Sequence, residues 1–172
     1  MKNEKKLNNK GFSLVELIIV IAIMAILVVV LAPQYLKYVE RARNSTDLQN
    51  ARTIVNAIQI YAADPQANPP ITVTDTNDGK ITINADGTAS VITDDNATLV
   101  GALENAGLDI NNMHCVSRTA WTAYEITVNV DADGTLSFTY EGKGEPDNAT
   151  VTFADMMNGA GNNVSGAGEE NP

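Results

Sequence analysis

The chain has 172 residues, of which 44% are apolar, and these values suit one globular domain with an additional N-terminal segment. Its 21 acidic and 11 basic side chains give a formal net charge of −10. This excess of acid argues against a nucleic acid as the main ligand, because binding to phosphates relies on Lys and Arg. Cys115 is the only cysteine, so no intrachain disulfide can form.

The chain begins with a short basic segment followed by a long apolar run. Within residues 1–11, lysines outnumber the single glutamate, whereas residues 12–32 carry no charge except that of Glu16. Such a run is long enough to cross a bilayer as a helix, with the lysines in the cytoplasm and the rest of the chain outside. The alternatives are a cleaved secretory signal, for which no small-residue cleavage site follows the run, and an uncleaved anchor.

The junction between the two segments reads KGFSLVE, from Lys10 to Glu16. It resembles the signature of type IV pilins and pseudopilins in its basic leader, its Gly-Phe junction, its glutamate and a proline that matches Pro33. The resemblance implies that a prepilin peptidase cuts after Gly11, methylates the new N-terminal residue Phe12, and leaves the apolar helix in the mature protein. It covers roughly residues 1–60 of this sequence.

The resemblance and the composition together predict four segments. Residues 1–11 are the cleaved leader peptide, and residues 12–33 are the transmembrane helix that becomes the core of a fibre. Residues 34–157 form a globular head that includes the C-terminal half of the long helix, and residues 158–172, rich in Gly and Asn, form a flexible tail. No cysteine lies near the end of the chain, as in the pilins of clostridia and unlike many Gram-negative pilins.

Two residues of the apolar helix have predicted roles in assembly. A buried carboxylate at Glu16 needs a cationic partner, and the resemblance implies that this partner is the Phe12 amine of a neighbouring subunit. Pro33 removes the hydrogen bond to the carbonyl of Val29, so a kink or local loosening of the helix is predicted there.

Helical periodicity continues past Pro33, and the sequence predicts one helix from about residue 13 to residue 63, ended by Asp64 and Pro65. Apolar residues recur at spacings of three and four on one face, and charged residues occupy the other. The predicted apolar face comprises Tyr35, Val39, Ala42, Leu48, Ala51, Val55, Ile58 and Ala62. The predicted charged face comprises Lys37, Glu40, Arg41, Arg43, Asp47 and Arg52.

The remainder of the chain alternates apolar and polar residues, which indicates β-strands. Short strands or extended segments are predicted over residues 71–74 and 80–83, with a turn at 77–79, and a short helix over residues 96–106 ending at Gly107. The clearest hairpin pairs residues 124–130 with residues 136–140. A further strand is predicted at Val151 and Phe153. The fold class is therefore α+β: a long N-terminal helix whose C-terminal half packs against a small antiparallel sheet.

The sequence offers no constellation for catalysis, no cofactor motif and no metal site, so a non-enzymatic protein is predicted. Cys115 is interpreted as a buried small apolar residue, and the lone His114 beside it cannot complete a zinc site with it. Asp131 and Asp133 could contribute oxygens to a calcium ion, but two acids before Gly134 are more often turn residues.

These features predict a structural subunit, the major one, of a type IV pilus that serves adhesion, surface motility or biofilm formation. Its partners are further copies of itself in a helical homopolymer, the prepilin peptidase, the assembly machinery and the cell membrane before assembly. Two alternatives stay open. One is the major pseudopilin of a type II secretion or DNA-uptake system, and the other is a monomeric membrane-anchored binding protein.

Overall fold

A computed structural model describes residues 11–67, 70–71, 79–92, 96–131 and 133–159. The chain divides into two compact units, one up to Tyr38 and the other from Val39 onward. The elements in chain order are α1 (Leu14–Ala63), β1 (Lys80–Asn84), β2 (Ala89–Ile92), α2 (Asn96–Asn105), a 3-10 turn (Ile110–Asn112), β3 (Ala123–Val130), β4 (Leu136–Lys143) and α3 (Phe153–Met157).

Helix α1 has 50 residues and contains Pro33 within its bounds. The predicted helix over residues 13–63 is therefore confirmed in type and extent. Among the described residues, α1 is the one helix long and apolar enough to cross a membrane, and its most apolar stretch is entirely exposed in the first unit. The kink at Pro33 stays a prediction.

The second unit is built on a four-stranded antiparallel sheet in the order β2-β1-β3-β4. The hairpin predicted from the alternation is confirmed, since Val130 pairs with Leu136 and Ile126 with Tyr140. At its turn, the Asp131 N–H donates to the Thr135 carbonyl at 2.9 Å and Gly134 has a φ of 84°, a value that favours glycine. The predicted segment at residues 80–83 lies in β1, and β2 is a strand that the sequence did not predict.

The core of this unit lies between the sheet and the part of α1 that follows Asn50. The apolar residues of one face of β1 and β3 meet one stripe of the helix, so the predicted α+β packing is confirmed. Phe153 joins this core by stacking on Tyr124, with ring centroids 4.9 Å apart, and by an edge contact with Trp121 at 5.1 Å. The main helix and strand residues of the core are Ala51, Ile54, Val55, Ala57, Ile58, Ile81, Ile83, Ile126 and Val128.

Helix α2 confirms the helix predicted over residues 96–106, and Gly107 ends it as expected. Gly107 has a φ of 73°, and its N–H donates to the Glu104 carbonyl while the N–H of Leu108 donates to that of Leu103. A left-handed glycine with these two bonds satisfies carbonyls that a helix end otherwise leaves without partners.

The strand predicted at Val151 and Phe153 is wrong, because Phe153 begins helix α3. Thr152 caps this helix: its side chain accepts from the Asp155 N–H, and the Asp155 carboxylate accepts from the Thr152 N–H at 2.9 Å. This reciprocal pair is a capping box, and the spacing Thr-x-x-Asp in the sequence was the available signal.

The predicted faces of α1 need corrections. Asp47, placed on the charged face, is fully buried, whereas Tyr35, Ala42 and Ala62, placed on the apolar face, are exposed. Buried core positions at Ile54 and Ala57 were not predicted.

Two predicted segments lie largely or wholly outside the described residues. They are the segment over residues 71–79 and the tail beyond residue 159. In the first of them, Ile71 is not in a strand and Gly79 is in a turn.

Candidate functional site

The predicted cleavage junction lies immediately before helix α1. Gly11, Phe12 and Ser13 are outside the helix and exposed, and the Phe12 side chain is 84% exposed. A Cβ added at Gly11 would meet no atom within 4 Å, and Gly11 does not have a positive φ. The local structure of this chain therefore gives no reason for a glycine at position 11.

Ser13 and Glu16 together determine where α1 begins. The Ser13 N–H donates to Glu16 Oε2 at 2.8 Å, and the Ser13 Oγ accepts from the Val15 N–H at 3.4 Å. The Glu16 side chain thus accepts from the Ser13 N–H as in a capping box, whereas the Ser13 side chain accepts from the N–H of Val15 and not from that of Glu16. We call Ser13 and Glu16 the capping pair. Our reading of the sequence did not include this pair, although Ser-x-x-Glu before an apolar run is its usual signature.

The apolar side chains after this cap are exposed throughout the first unit. From Leu14 to Leu31 every large apolar side chain is at least half exposed. So large an apolar surface is unfavourable in water and requires lipid or protein neighbours. Glu16 is the one acid within this surface, and no ion pair involves it in the part of the chain that the structure describes.

A comparison with known protein families shows what this N-terminal segment is similar to. Residues 6–32 match the family model described as the prokaryotic N-terminal methylation motif. The N-terminal segment is that of a type IV pilin-like protein. The match contains the junction at Gly11 and Phe12, the capping pair and most of the exposed apolar helix.

Two curated relatives agree with this assignment. The chain is 37% identical over 71 residues to a prepilin peptidase-dependent protein A from Clostridium perfringens, which covers 41% of this chain and 51% of that protein. It is also 37% identical over 92 residues to the fimbrial protein EcpC from Eikenella corrodens, which covers 49% and 60%. The chain thus spans about half of the first relative and three fifths of the second. No solved structure matches it.

The second unit contains a buried polar cluster around Asp47. Three N–H groups donate to the Asp47 carboxylate: those of Val116 at 2.8 Å, of Ser117 at 2.9 Å and of the Trp121 indole at 2.9 Å. The Cys115 thiol donates as well, with its Sγ 3.3 Å from Oδ2. These bonds offset the cost of burying a carboxylate and attach residues 115–121 to α1.

Glu40, two helical turns before Asp47, binds the same loop. Its Oε1 accepts from the backbone N–H groups of Arg118 and Thr119, both at 2.7 Å, and from the Ser117 hydroxyl at 3.1 Å. Partial burial raises the pKa of the Glu40 carboxyl, but the N–H groups and hydroxyls that donate to it outweigh this effect and lower the pKa to about 2. Glu40 therefore stays ionised while the loop is in place.

Cys115 is buried, as predicted, but it is more than an apolar filler because its thiol donates to Asp47. Burial and the nearby Asp47 carboxylate raise the pKa of the thiol to about 12. The thiol is therefore protonated and unreactive in the folded protein. His114 is exposed and takes no part in this cluster.

The carboxylate of Asp133 at the hairpin turn stabilises the turn itself. Asp133 accepts from the Thr135 N–H at 3.0 Å, and this bond lowers the pKa of its carboxyl. Over the residues that the structure describes, no three His, Cys, Asp or Glu side chains come together as a metal site.

Proposed function

We propose that the chain is a structural subunit of a type IV pilus, cut between Gly11 and Phe12, methylated on Phe12 and polymerised through its N-terminal helix. The observation that carries this proposal is an exposed Gly-Phe junction directly before the apolar N-terminal stretch of α1, which is entirely exposed. A membrane would cover this helix before assembly, and the helices of neighbouring subunits would cover it in the extracellular fibre.

The glycine at position 11 supports processing by a peptidase. Within the described residues neither space nor backbone conformation demands glycine there, and we propose that recognition from outside this chain requires a small residue. A pocket in the peptidase that accepts only a small residue supplies such a requirement. The name of the clostridial relative, a prepilin peptidase-dependent protein, supports the same processing here.

Glu16 is proposed to make the charged contact of assembly. Cleavage gives Phe12 an α-amine with an ordinary pKa of about 8, which is cationic at neutral pH. Only Oε2 of Glu16 accepts a hydrogen bond within the described chain, so Oε1 has capacity for the amine of a neighbouring copy. Pairing the two charges as subunits enter the fibre removes the cost of burying either one alone.

The proposed role is structural rather than enzymatic, and the fibre would act in adhesion, surface motility or biofilm formation. The fimbrial name of one relative supports a filament in place of an isolated anchor. Filaments sheared from cells and imaged with an antibody to the head decide between the alternatives. Long surface fibres support the pilus, short internal filaments a pseudopilus, and no filaments a monomeric anchored protein.

The mass of the surface-extracted protein tests the processing. We expect a chain that starts at Phe12 and carries one additional methyl group, whereas a mass equal to that of residues 1–172 would refute the proposal.

A variant at position 11 tests the same step. Gly11→Asp should leave the uncleaved precursor in the membrane. Asn56→Asp adds the same charge at an exposed position of α1, and this matched control should be processed normally.

A further inference from the structure

The capping pair at the start of α1, Ser13 and Glu16, lies next to the peptide bond that the proposed processing cuts. Ser13 is bonded in both directions, through its N–H to Glu16 and through its Oγ to the Val15 N–H. The helix consequently begins at Leu14, and the bond between Gly11 and Phe12 stays two residues outside it. In that position the bond is exposed and is not part of the helical hydrogen-bond ladder.

The sequence before the junction offers other places where the helix could begin. Asn8 and Asn9 are residues that favour the N-cap position, and a helix that began there would include Gly11 and Phe12. Glycine within a helix costs about 1 kcal/mol relative to alanine, so Gly11 alone opposes this extension only modestly. The bonds of Ser13 and Glu16 are a second stop signal, of similar size, and they fix the residue at which the helix begins.

A helical conformation at the junction would hinder cleavage. Within a helix the backbone N–H and carbonyl groups are bonded to each other and the dihedral angles are fixed. Proteolysis concentrates where the backbone is exposed and outside regular structure. The position at which α1 begins therefore affects whether a peptidase can bind the backbone around Gly11 and Phe12.

We infer that Ser13 is a positioning residue for maturation: with Glu16, it holds the start of α1 beyond the bond between Gly11 and Phe12 and so keeps that bond open to the peptidase. This inference rests on the proposed function. It also gives Glu16 two separable tasks. Accepting the Ser13 N–H needs only a side-chain oxygen, which Gln also provides, whereas neutralising an amine needs the charge.

The test is the initial rate at which purified prepilin peptidase cuts the full-length precursor in membranes. Ser13→Ala removes the cap and should lower the rate by about three- to tenfold, which corresponds to the usual cost of losing such a residue. Ser13→Thr keeps a capping hydroxyl and should be cut at nearly the wild-type rate. Glu16→Gln should also be cut at nearly that rate, while Glu16→Ala should be slower but still reach complete cleavage.

A second measurement separates conformation from recognition by the enzyme. In uncleaved precursor, amide hydrogen exchange at Phe12 should be fast in the wild type and in Ser13→Thr, and slower in Ser13→Ala because the helix extends over it. Wild-type cleavage and exchange in Ser13→Ala would overturn the inference. So would equal slowing in Ser13→Thr and Ser13→Ala, since the enzyme would then recognise the serine itself. A wild-type chain that is not cut at this bond would instead refute the proposed function.

Discussion

The two units use the same helix in opposite ways, and their acids show the difference. Around Glu16 the apolar side chains of α1 are exposed, and one backbone N–H of the same chain donates to the carboxylate. Around Asp47 the apolar side chains are buried, and four donors of a loop surround the carboxylate. Asp47 is therefore part of the packing of its unit, whereas Glu16 lies on an apolar surface that the described chain leaves uncovered, and this difference is why we propose an assembly role for Glu16 alone.

The largest effect that distinguishes the two acids is expected for Glu16→Ala. This variant should insert into the membrane and be cleaved, but filament formation should be lost or severely reduced, because each added subunit would bury an unpaired amine. Glu16→Gln should assemble as poorly, since it lacks the charge. The measurement is the amount of sheared filament relative to processed subunit. Normal amounts from both variants would show that Glu16 makes no assembly contact.

Asp47→Ala should act on folding instead. It leaves the N–H groups of Val116 and Ser117 and the Trp121 indole buried without an acceptor, which should cost about 3–5 kcal/mol of unfolding free energy. Trp121 is the only tryptophan and is buried, so its fluorescence during denaturation of the detergent-solubilised chain reports the loss. The control Asp86→Ala, at an exposed turn, should lower the unfolding free energy far less than Asp47→Ala does. Equal effects in the two variants would contradict the role of Asp47.

The attachment of the loop through Glu40 should depend on pH. The pKa of this carboxyl is about 2 in the folded protein, against an ordinary value of 4.5. The folded state therefore favours the ionised carboxylate more strongly than the unfolded state does. The stability that Glu40 contributes is thus complete above about pH 4.5 and is lost as the pH falls toward 2. The unfolding free energies of the wild type and of Glu40→Gln are measured at each pH. The difference between them isolates the contribution of Glu40 from that of the other acids. A difference that stays constant from pH 6 to pH 2.5 would refute it.

The smallest expected effect is a gain in stability from Gly101→Ala in α2. A Cβ there meets nothing within 4 Å, and alanine favours a helix over glycine by about 1 kcal/mol. Gly79→Ala is the opposite case, because its Cβ would collide with the Val128 carbonyl oxygen and should destabilise the head. The midpoints of thermal unfolding should therefore shift in opposite directions for the two variants. A loss of stability in Gly101→Ala would contradict the helix geometry at that site.

The sequence by itself was sufficient for the features that depend on neighbours along the chain. The apolar run, the extent of α1, the stop at Gly107 and the hairpin between β3 and β4 all follow from local periodicity and turn residues. The junction at Gly11 and Phe12 is equally local, and the family match over residues 6–32 includes it. Even the capping box at Thr152 and the capping pair at Ser13 and Glu16 correspond to short sequence patterns, although neither was predicted.

Only the tertiary structure decided which acids of α1 are buried. Asp47 lies four residues before Ala51, so it continues a buried stripe, yet its charge led to its prediction on the charged face. Its burial is tolerable because residues 115–121, 68 or more positions away, fold back and donate to it. Hydrogen bonds between segments so distant leave no periodic signal, because the desolvation cost of a carboxylate and the donors that offset it are brought together only by folding.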